Sequence, residues 1–228
     1  MFMALSLHAK NTPPGIFKSK IKARFWLWIL AFVPCTTCGF SETETLSPTI
    51  QALDNEKTSQ KAAEALAYCQ SNGFSTSHCI LIDFSVHSGL NRLVLWDFNS
   101  NKALYSCLVS HGCGSSPWSS DQTKTSPVFS NVHESHSSSL GKYKIGERGY
   151  SNWGVHSKYL LHGLESSNSQ AMARTIVFHS WDAVPDQELY PAGTPEGWGC
   201  PAVSNNAFRS IDPYLRGSTK PVLMWIYT

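Results

Sequence analysis

Charge is scarce in this 228-residue chain: 15% of residues are Asp, Glu, Lys or Arg, against 42% hydrophobic and 12% aromatic. That balance excludes an intrinsically disordered chain and is enough to bury one domain with a small appendage. Internal repeats, heptads and a glycine-rich phosphate loop are absent, which sets aside solenoids, coiled coils and P-loop nucleotide binding. Acidic residues are missing from the first 41 positions, where Lys10, Lys18, Lys20, Lys22 and Arg24 precede the uncharged run "FWLWILAFV" and then "TTCGFSE". Basic, apolar, then small and polar is the order of a secretory signal. The apolar run is far shorter than the roughly 20 residues a membrane span needs. Residues 1–40 are therefore expected to be a signal peptide, cut near Gly39, or an N-terminal anchor if uncut. The expected location is exported, in the periplasm or cell envelope, with membrane attachment only in the uncut form. Without those five cations the 18 basic residues fall to 13, against 16 acidic ones. No basic footprint for nucleic acid is left.

Cysteines are few and oddly numbered. Of the seven, Cys35 and Cys38 lie beside the leader, leaving Cys69, Cys79, Cys107, Cys113 and Cys200. No C-x-x-C pair survives beyond the leader and the histidines are scattered, so no metal site is expected. In an oxidising compartment thiols pair and an odd one is left over. Local pairing gives Cys69–Cys79 and Cys107–Cys113 as candidate disulfides, with Cys200 free, although sequence alone does not set the connectivity.

Residues 41–55 are polar, with Pro48, and read as a linker. From Asn55 to Gly73, Ala62, Ala65, Leu66 and Cys69 recur at helical spacing, and Gly73 is a stop. "CILIDFSVHSG" and "NRLVLWDFNSNKALYSCLVSHG" are β-branched and aromatic, with turns at Gly89-Leu-Asn and Asn99-Ser-Asn, and predict three strands joined by hairpins. Residues 112–142 are Ser-, Gly- and Pro-rich and read as a long loop. "YLLHGLE" and "TIVFHSW" predict buried strands, with a helical turn in "NSQAMAR" between them. A last helix is expected from Asn205 or Asn206 to just before Pro213, and "KPVLMWIYT" is a closing strand. The fold class is mainly β with a few short helices, in one domain over 56–228 with an N-terminal helix.

Among these elements one thiol stands out, in "PEGWGCPAVSN". A thiol is a nucleophile when a base or cation favours the thiolate. His179 ends an apolar strand and titrates near neutrality, so it is the candidate partner. Gly199 lets a substrate approach the backbone, whose N–H groups near Cys200 would hold an oxyanion. On residues alone the alternatives stay open: Cys200 as a buried inert thiol, His179 as a satisfied sheet histidine. His162 is expected to pack in the sheet, and His133 and His136 to be solvated.

"IVFHSW", a loop, then "GWGCPAV" resembles the catalytic segment of the YkuD-type L,D-transpeptidases, most closely the murein L,D-transpeptidase catalytic domain branch. "IDFSVHS", "LVSHGCGSS", "VFSNVHESHSSSLGKY", "YLLHGLE" and "ARTIVFHS" match in order over roughly 80–227. The resemblance implies a mixed β-sheet or sandwich catalytic fold acting on peptidoglycan stem peptides. Cys200 would be the nucleophile and His179 the base. Backbone at Ser180 would orient the imidazole, and backbone at Gly199 would form the oxyanion hole. His111, Trp198, Arg174 and Ser139 are expected to meet substrate, with turn structure as the rival role for His111 and a structural ion pair as the rival role for Arg174. No cofactor is implied, and a monomer is expected. The superfamily carries serine where this chain has Gly197, and histidine where it has Trp198. The implied reaction is acyl transfer from stem residue 3 with loss of the terminal D-alanine. An L,D-carboxypeptidase or wall peptide hydrolase is the alternative on the same fold, and a silent wall-binding protein the alternative of another class.

Overall fold

The computed structural model describes residues 48–228, with side chains from residue 56 onward. The expected leader and the first part of the linker lie outside the described residues. Helix α1 (Pro48–Asn72) begins at Pro48 rather than at Asn55, so the second half of the expected linker is helical. A proline is tolerated in a first turn, where its missing N–H has no intrahelical partner. Ala62, Ala65 and Cys69 of the expected stripe are buried. Gly73, with φ +75°, turns the chain out of the helix, and Phe74 N–H donates to Cys69 O at 3.1 Å.

Eight strands follow: β1 (His78–Asp83), β2 (Leu93–Asp97), β3 (Lys102–Cys107), β4 (Gly141–Tyr150), β5 (Ser157–Gly163), β6 (Val177–Ser180), β7 (Ala202–Val203) and β8 (Val222–Tyr227). They form one sheet in the order β3-β2-β1-β8-β4-β5-β6-β7. The expected hairpins β1–β2 and β2–β3 are antiparallel neighbours. Past β3 the chain reaches the other end of the sheet, where Ser110 bridges Ala202 of β7. The sheet is thus nearly closed into a barrel. The mainly β fold class holds, with β8 as the expected closing strand.

Both faces are covered at the middle of the sheet, which explains the unbroken apolar runs in β1 and β8. Ile80, Ile82, Met224 and Ile226 face the larger core. Cys79, Leu81 and Leu223 alternate onto the α1 side, with Ala62, Ala65 and Cys69. Helix α2 (Asn205–Gly217) buries Ala207, Phe208, Ile211 and Leu215 against the larger core. It runs through Pro213 rather than ending before it. The stripe continues to Leu215, and burial of that leucine outweighs the one backbone hydrogen bond the proline forfeits.

Two further expectations are corrected. Strand β4 occupies a stretch to which no element was assigned. Its apolar alternation is brief, Tyr143 and Ile145, and its second half is exposed. No disulfide forms among the described residues: Cys69, Cys79, Cys107, Cys113 and Cys200 are all free thiols. Cys69 and Cys79 pack as small apolar side chains beside α1, and Cys107 faces the larger core. Cys113 instead follows its backbone toward residue 197, donating its N–H to Gly197 O at 2.8 Å. The parity argument for a free Cys200 therefore falls away, and its free thiol stands on its own surroundings.

Candidate active site

Strand β6 presents His179 from a rigid base. It lies between β5 and β7, with Lys158 opposite His179 on one side and Ala202 on the other. The loop leaving β6 returns at Cys200, two residues before Ala202, so the thiol and the imidazole share one face a pleat apart. His179 Nδ1 lies 2.9 Å from Ser180 O. A carbonyl only accepts, so Nδ1 carries the proton and Nε2 keeps a lone pair, as a general base requires. Burial holds the His179 pKa below its ordinary value, opposed by the Ser180 carbonyl and reinforced by Lys158.

The half-buried Cys200 sulfur accepts from Val177 N–H at 3.4 Å and faces Thr175 O at 3.8 Å. Thr175 has φ +57°, a strained conformation for a β-branched residue. Burial raises the thiol pKa, while the Val177 N–H, Arg174 and Lys158 pull it down. The resting pair is thus neutral thiol and neutral imidazole.

Gly199, at φ +101°, makes the turn into Cys200, and a Cβ there would lie 2.6 Å from Ser137 O. Its carbonyl accepts from Ser138 Oγ at 3.1 Å. Gly197 is held by backbone on both sides: its N–H donates to His111 O at 2.8 Å and its carbonyl accepts from Cys113. A Cβ at Gly197 would meet only Ser110 Oγ, at 3.8 Å. The hydroxyl missing at this position is therefore not needed to fix the loop.

The other expected residues divide. Trp198 lies in the cleft with Cys200 and His179. Arg174 lies behind the nucleophile loop. Its guanidinium donates to Ser130 O (2.8 Å), Ser139 Oγ (2.7 Å), Ser135 Oγ (3.3 Å) and Ser137 O (2.5 Å), tying down the serine-rich segment. Ser139 is buried there and donates to Ser130 O at 2.8 Å. His111 is fully buried in a polar network and does not line the cleft. Arg92 Nη2 donates to its Nδ1 at 2.7 Å, so Nε2 carries the proton and gives it to Thr123 Oγ1 at 2.9 Å. Thr123 donates onward to Glu196, whose backbone leads into Gly197. His162 lies in β5 near Glu147 (3.4 Å), and the exposed His136 stacks on Trp198, ring centroids 5.3 Å apart. Among the described residues no three His, Cys, Asp or Glu side chains converge as a metal would require.

The sequence reading missed the rest of the cleft wall. Trp118, Trp153 and Trp181 join Trp198 around Cys200 and His179. Trp118 is the centre, with ring centroids 5.4 Å from Trp181, 6.3 Å from Trp153 and 6.4 Å from Trp198. The only available signal was eight tryptophans in one chain, two of these four within polar loops.

Three comparisons bear on this geometry. Residues 51–226 match the family model described as L,D-transpeptidase catalytic domain, YkuD_2. Curated protein sequences give no match. Among solved structures the chain is similar to the L,D-transpeptidase from Xylanimonas cellulosilytica, at 12% identity and TM-score 0.37, covering 71% of this chain and 68% of that one. It is also similar to the helical cell shape determining protein Pgp2 from Campylobacter jejuni, at 11% identity and TM-score 0.42, covering 66% and 47%. A third is the Ldtfm–avibactam carbamoyl enzyme, at 10% identity and TM-score 0.38, covering 67% and 49%. The chain spans about half the length of the last two. On the family match across most of its length, the chain belongs to the L,D-transpeptidase catalytic domain family and is an enzyme of that peptidoglycan-directed type.

Proposed function

We propose that this protein is a cysteine-dependent murein L,D-transpeptidase acting on peptidoglycan stem peptides. The observation that carries the reading is one cleft holding a free thiol, Cys200, and an imidazole whose outward nitrogen, Nε2, bears the lone pair. His179 takes the thiol proton as the sulfur turns from Thr175 O into the cleft. The thiolate attacks the carbonyl carbon of stem residue 3, and His179 returns the proton to the departing D-alanine amine. Gly199 and Cys200 supply backbone N–H groups to the oxyanion. An amine from a second stem then takes the acyl group, which forms a cross-link. The substrate's address outside the inner membrane fits the leader-like composition of residues 1–40, and we propose export on that ground. Among the described residues no helix is long and apolar enough to cross a membrane.

Purified protein incubated with tetrapeptide muropeptides and read by mass spectrometry tests the assignment. Cross-linked dimers with loss of D-alanine are expected. Cys200→Ala abolishes both the dimers and the thioester adduct. Tripeptide monomers alone would turn the reading to L,D-carboxypeptidase, and activity surviving in Cys200→Ala would overturn the nucleophile.

A further inference from the structure

Glu196 is fully buried just ahead of the nucleophile loop, and the acyl-transfer chemistry makes no use of it. Its Oε1 accepts from Thr123 N–H at 2.6 Å and from Thr123 Oγ1 at 2.9 Å, and its Oε2 accepts from Ser120 Oγ at 3.1 Å. The backbone repeats the attachment. Glu196 N–H donates to Ser120 O at 2.8 Å, and Ser119 N–H donates to Glu196 O at 2.9 Å. A buried acid is costly unless donors meet it, and an apolar side chain would fill the same space at no such cost. The acid therefore earns its place by what its bonds hold.

They hold a turn that carries one wall of the cleft. Ser120 N–H donates to Pro117 O at 3.2 Å, which places Trp118 and Ser119 at the tip of a four-residue turn. Ser119 has φ +64°, a left-handed conformation that a serine keeps only where its surroundings hold it. The bonds from Glu196 grip the turn at Ser119 and Ser120, directly behind Trp118. That indole is 48% exposed, so its own burial does not anchor it. It nevertheless stacks on Trp181, ring centroids 5.4 Å apart, and approaches Trp198 at 6.4 Å. Trp198 follows Glu196 by two residues on the loop that leads to Cys200. One side chain thus fastens the turn of Trp118 to the loop of the nucleophile.

We propose that Glu196 is a positioning residue: its hydrogen bonds to Ser120 and Thr123 set Trp118 in the cleft and thereby the affinity for the peptide donor. It acts on substrate through Trp118 and leaves the Cys200–His179 pair to its own surroundings. The inference rests on the reading of Cys200 as the nucleophile toward a stem peptide. A peptide laid across the cleft meets the face of Trp118, whereas a reagent of a few atoms reaches the sulfur without it.

The test compares those two reagents on the whole protein, a tetrapeptide muropeptide for acylation and iodoacetamide for alkylation of Cys200. Glu196→Ala is expected to raise the muropeptide concentration for half-maximal acylation about tenfold, with the limiting rate altered far less. The rate and pH profile of alkylation should stay with wild type. Glu196→Gln keeps an acceptor for Thr123 and turns its amide to Ser120 Oγ, which accepts as well as donates, so it should recover most of the lost affinity. Ser120→Ala removes one of the bonds and is expected to cost about threefold in the same concentration, which keeps the test decisive if Glu196→Ala does not fold. An unchanged concentration dependence in the alanine variants overturns the proposal. So does an equal fall in alkylation, because Glu196 would then act on the nucleophile loop itself. A glutamine variant as impaired as alanine also overturns it, since charge and not hydrogen bonding would be at work. The position of Trp118 is read without thiol chemistry from the circular-dichroism exciton signal of the stacked indoles, with Trp118→Leu marking its share. Glu196→Ala is expected to lose that share. Failure of wild type to acylate sinks the reading of Cys200, whereas an exciton signal unchanged in Glu196→Ala sinks the role of Glu196.

Discussion

Gly199 and Gly197 stand two residues apart and make opposite demands. Gly199 holds φ +101°, and any Cβ would press against Ser137 O. Gly199→Ala combines backbone strain with that clash, so a loss of about 2 kcal/mol is expected. Thermal denaturation should register it, and thioester formation should fall by more than tenfold. Gly197→Ser, by contrast, has room and is expected to leave melting temperature and acylation rate close to wild type. Arg174 is the third telling residue. Its positive charge acts on Cys200 in favour of the thiolate while its hydrogen bonds hold the loop behind it. Arg174→Gln removes the charge, so the pH profile of Cys200 alkylation by iodoacetamide is expected to move toward higher pH. Loosening of the loop alone would change the rate without that displacement. Cys200 and His179 were legible in the sequence because each sits in a short, distinctive segment. Arg174 and Ser139 were expected to meet substrate, with a structural ion pair as the other role for Arg174; its actual partners are neutral serine-segment groups 35 to 44 positions away, which no local pattern reveals.

At the scale of elements, β7 passes into α2 through Ser204. Its Oγ accepts from Ala207 N–H at 3.0 Å and donates to Asp186. Ser204→Ala leaves a helix N–H without its cap and is expected to cost about 1 kcal/mol in urea denaturation. Because β7 lies beside His179, the same variant should slow acylation modestly. Elements whose pattern is local were readable: β1, β2, β3 and β8 are short apolar runs bounded by turns, and α1 has its stripe. Strand β4 was not, because its ten residues show two inward apolar side chains before turning exposed. The tryptophan wall was not, because its members come from separate loops with no shared period. The disulfide expectation failed for a related reason: counting cysteines assumes that pairing is their reason for being present, whereas Cys69, Cys79 and Cys107 are packing residues.

For the molecule as a whole, burial of titrating groups sets a window of stability. His111 is fully buried against Arg92 and Thr123, with Glu196 3.7 Å away, and its pKa is lowered to about 3, first by desolvation and then by Arg92. An unfolded chain takes up a proton at this residue below pH 6.5 that the folded chain refuses. The associated stability is therefore complete above pH 6.5 and falls as pH drops toward 3, by up to about 1.4 kcal/mol per pH unit. His179, also lowered, acts in the same sense. The buried thiols limit the other side. Desolvation raises Cys69 to about 11 and Cys107 to about 12. The unfolded chain releases these protons from pH 9 upward while the folded chain retains them, so stability falls as pH rises through that range. Urea midpoints measured from pH 4 to pH 11 should therefore form a plateau between about 6.5 and 9 with a shoulder falling on each side. His111→Gln keeps an acceptor for Arg92 and a donor for Thr123 but cannot charge. The acid shoulder is expected to flatten in that variant while the alkaline one is unchanged. An acid shoulder of undiminished slope in His111→Gln would show that the buried network does not set it.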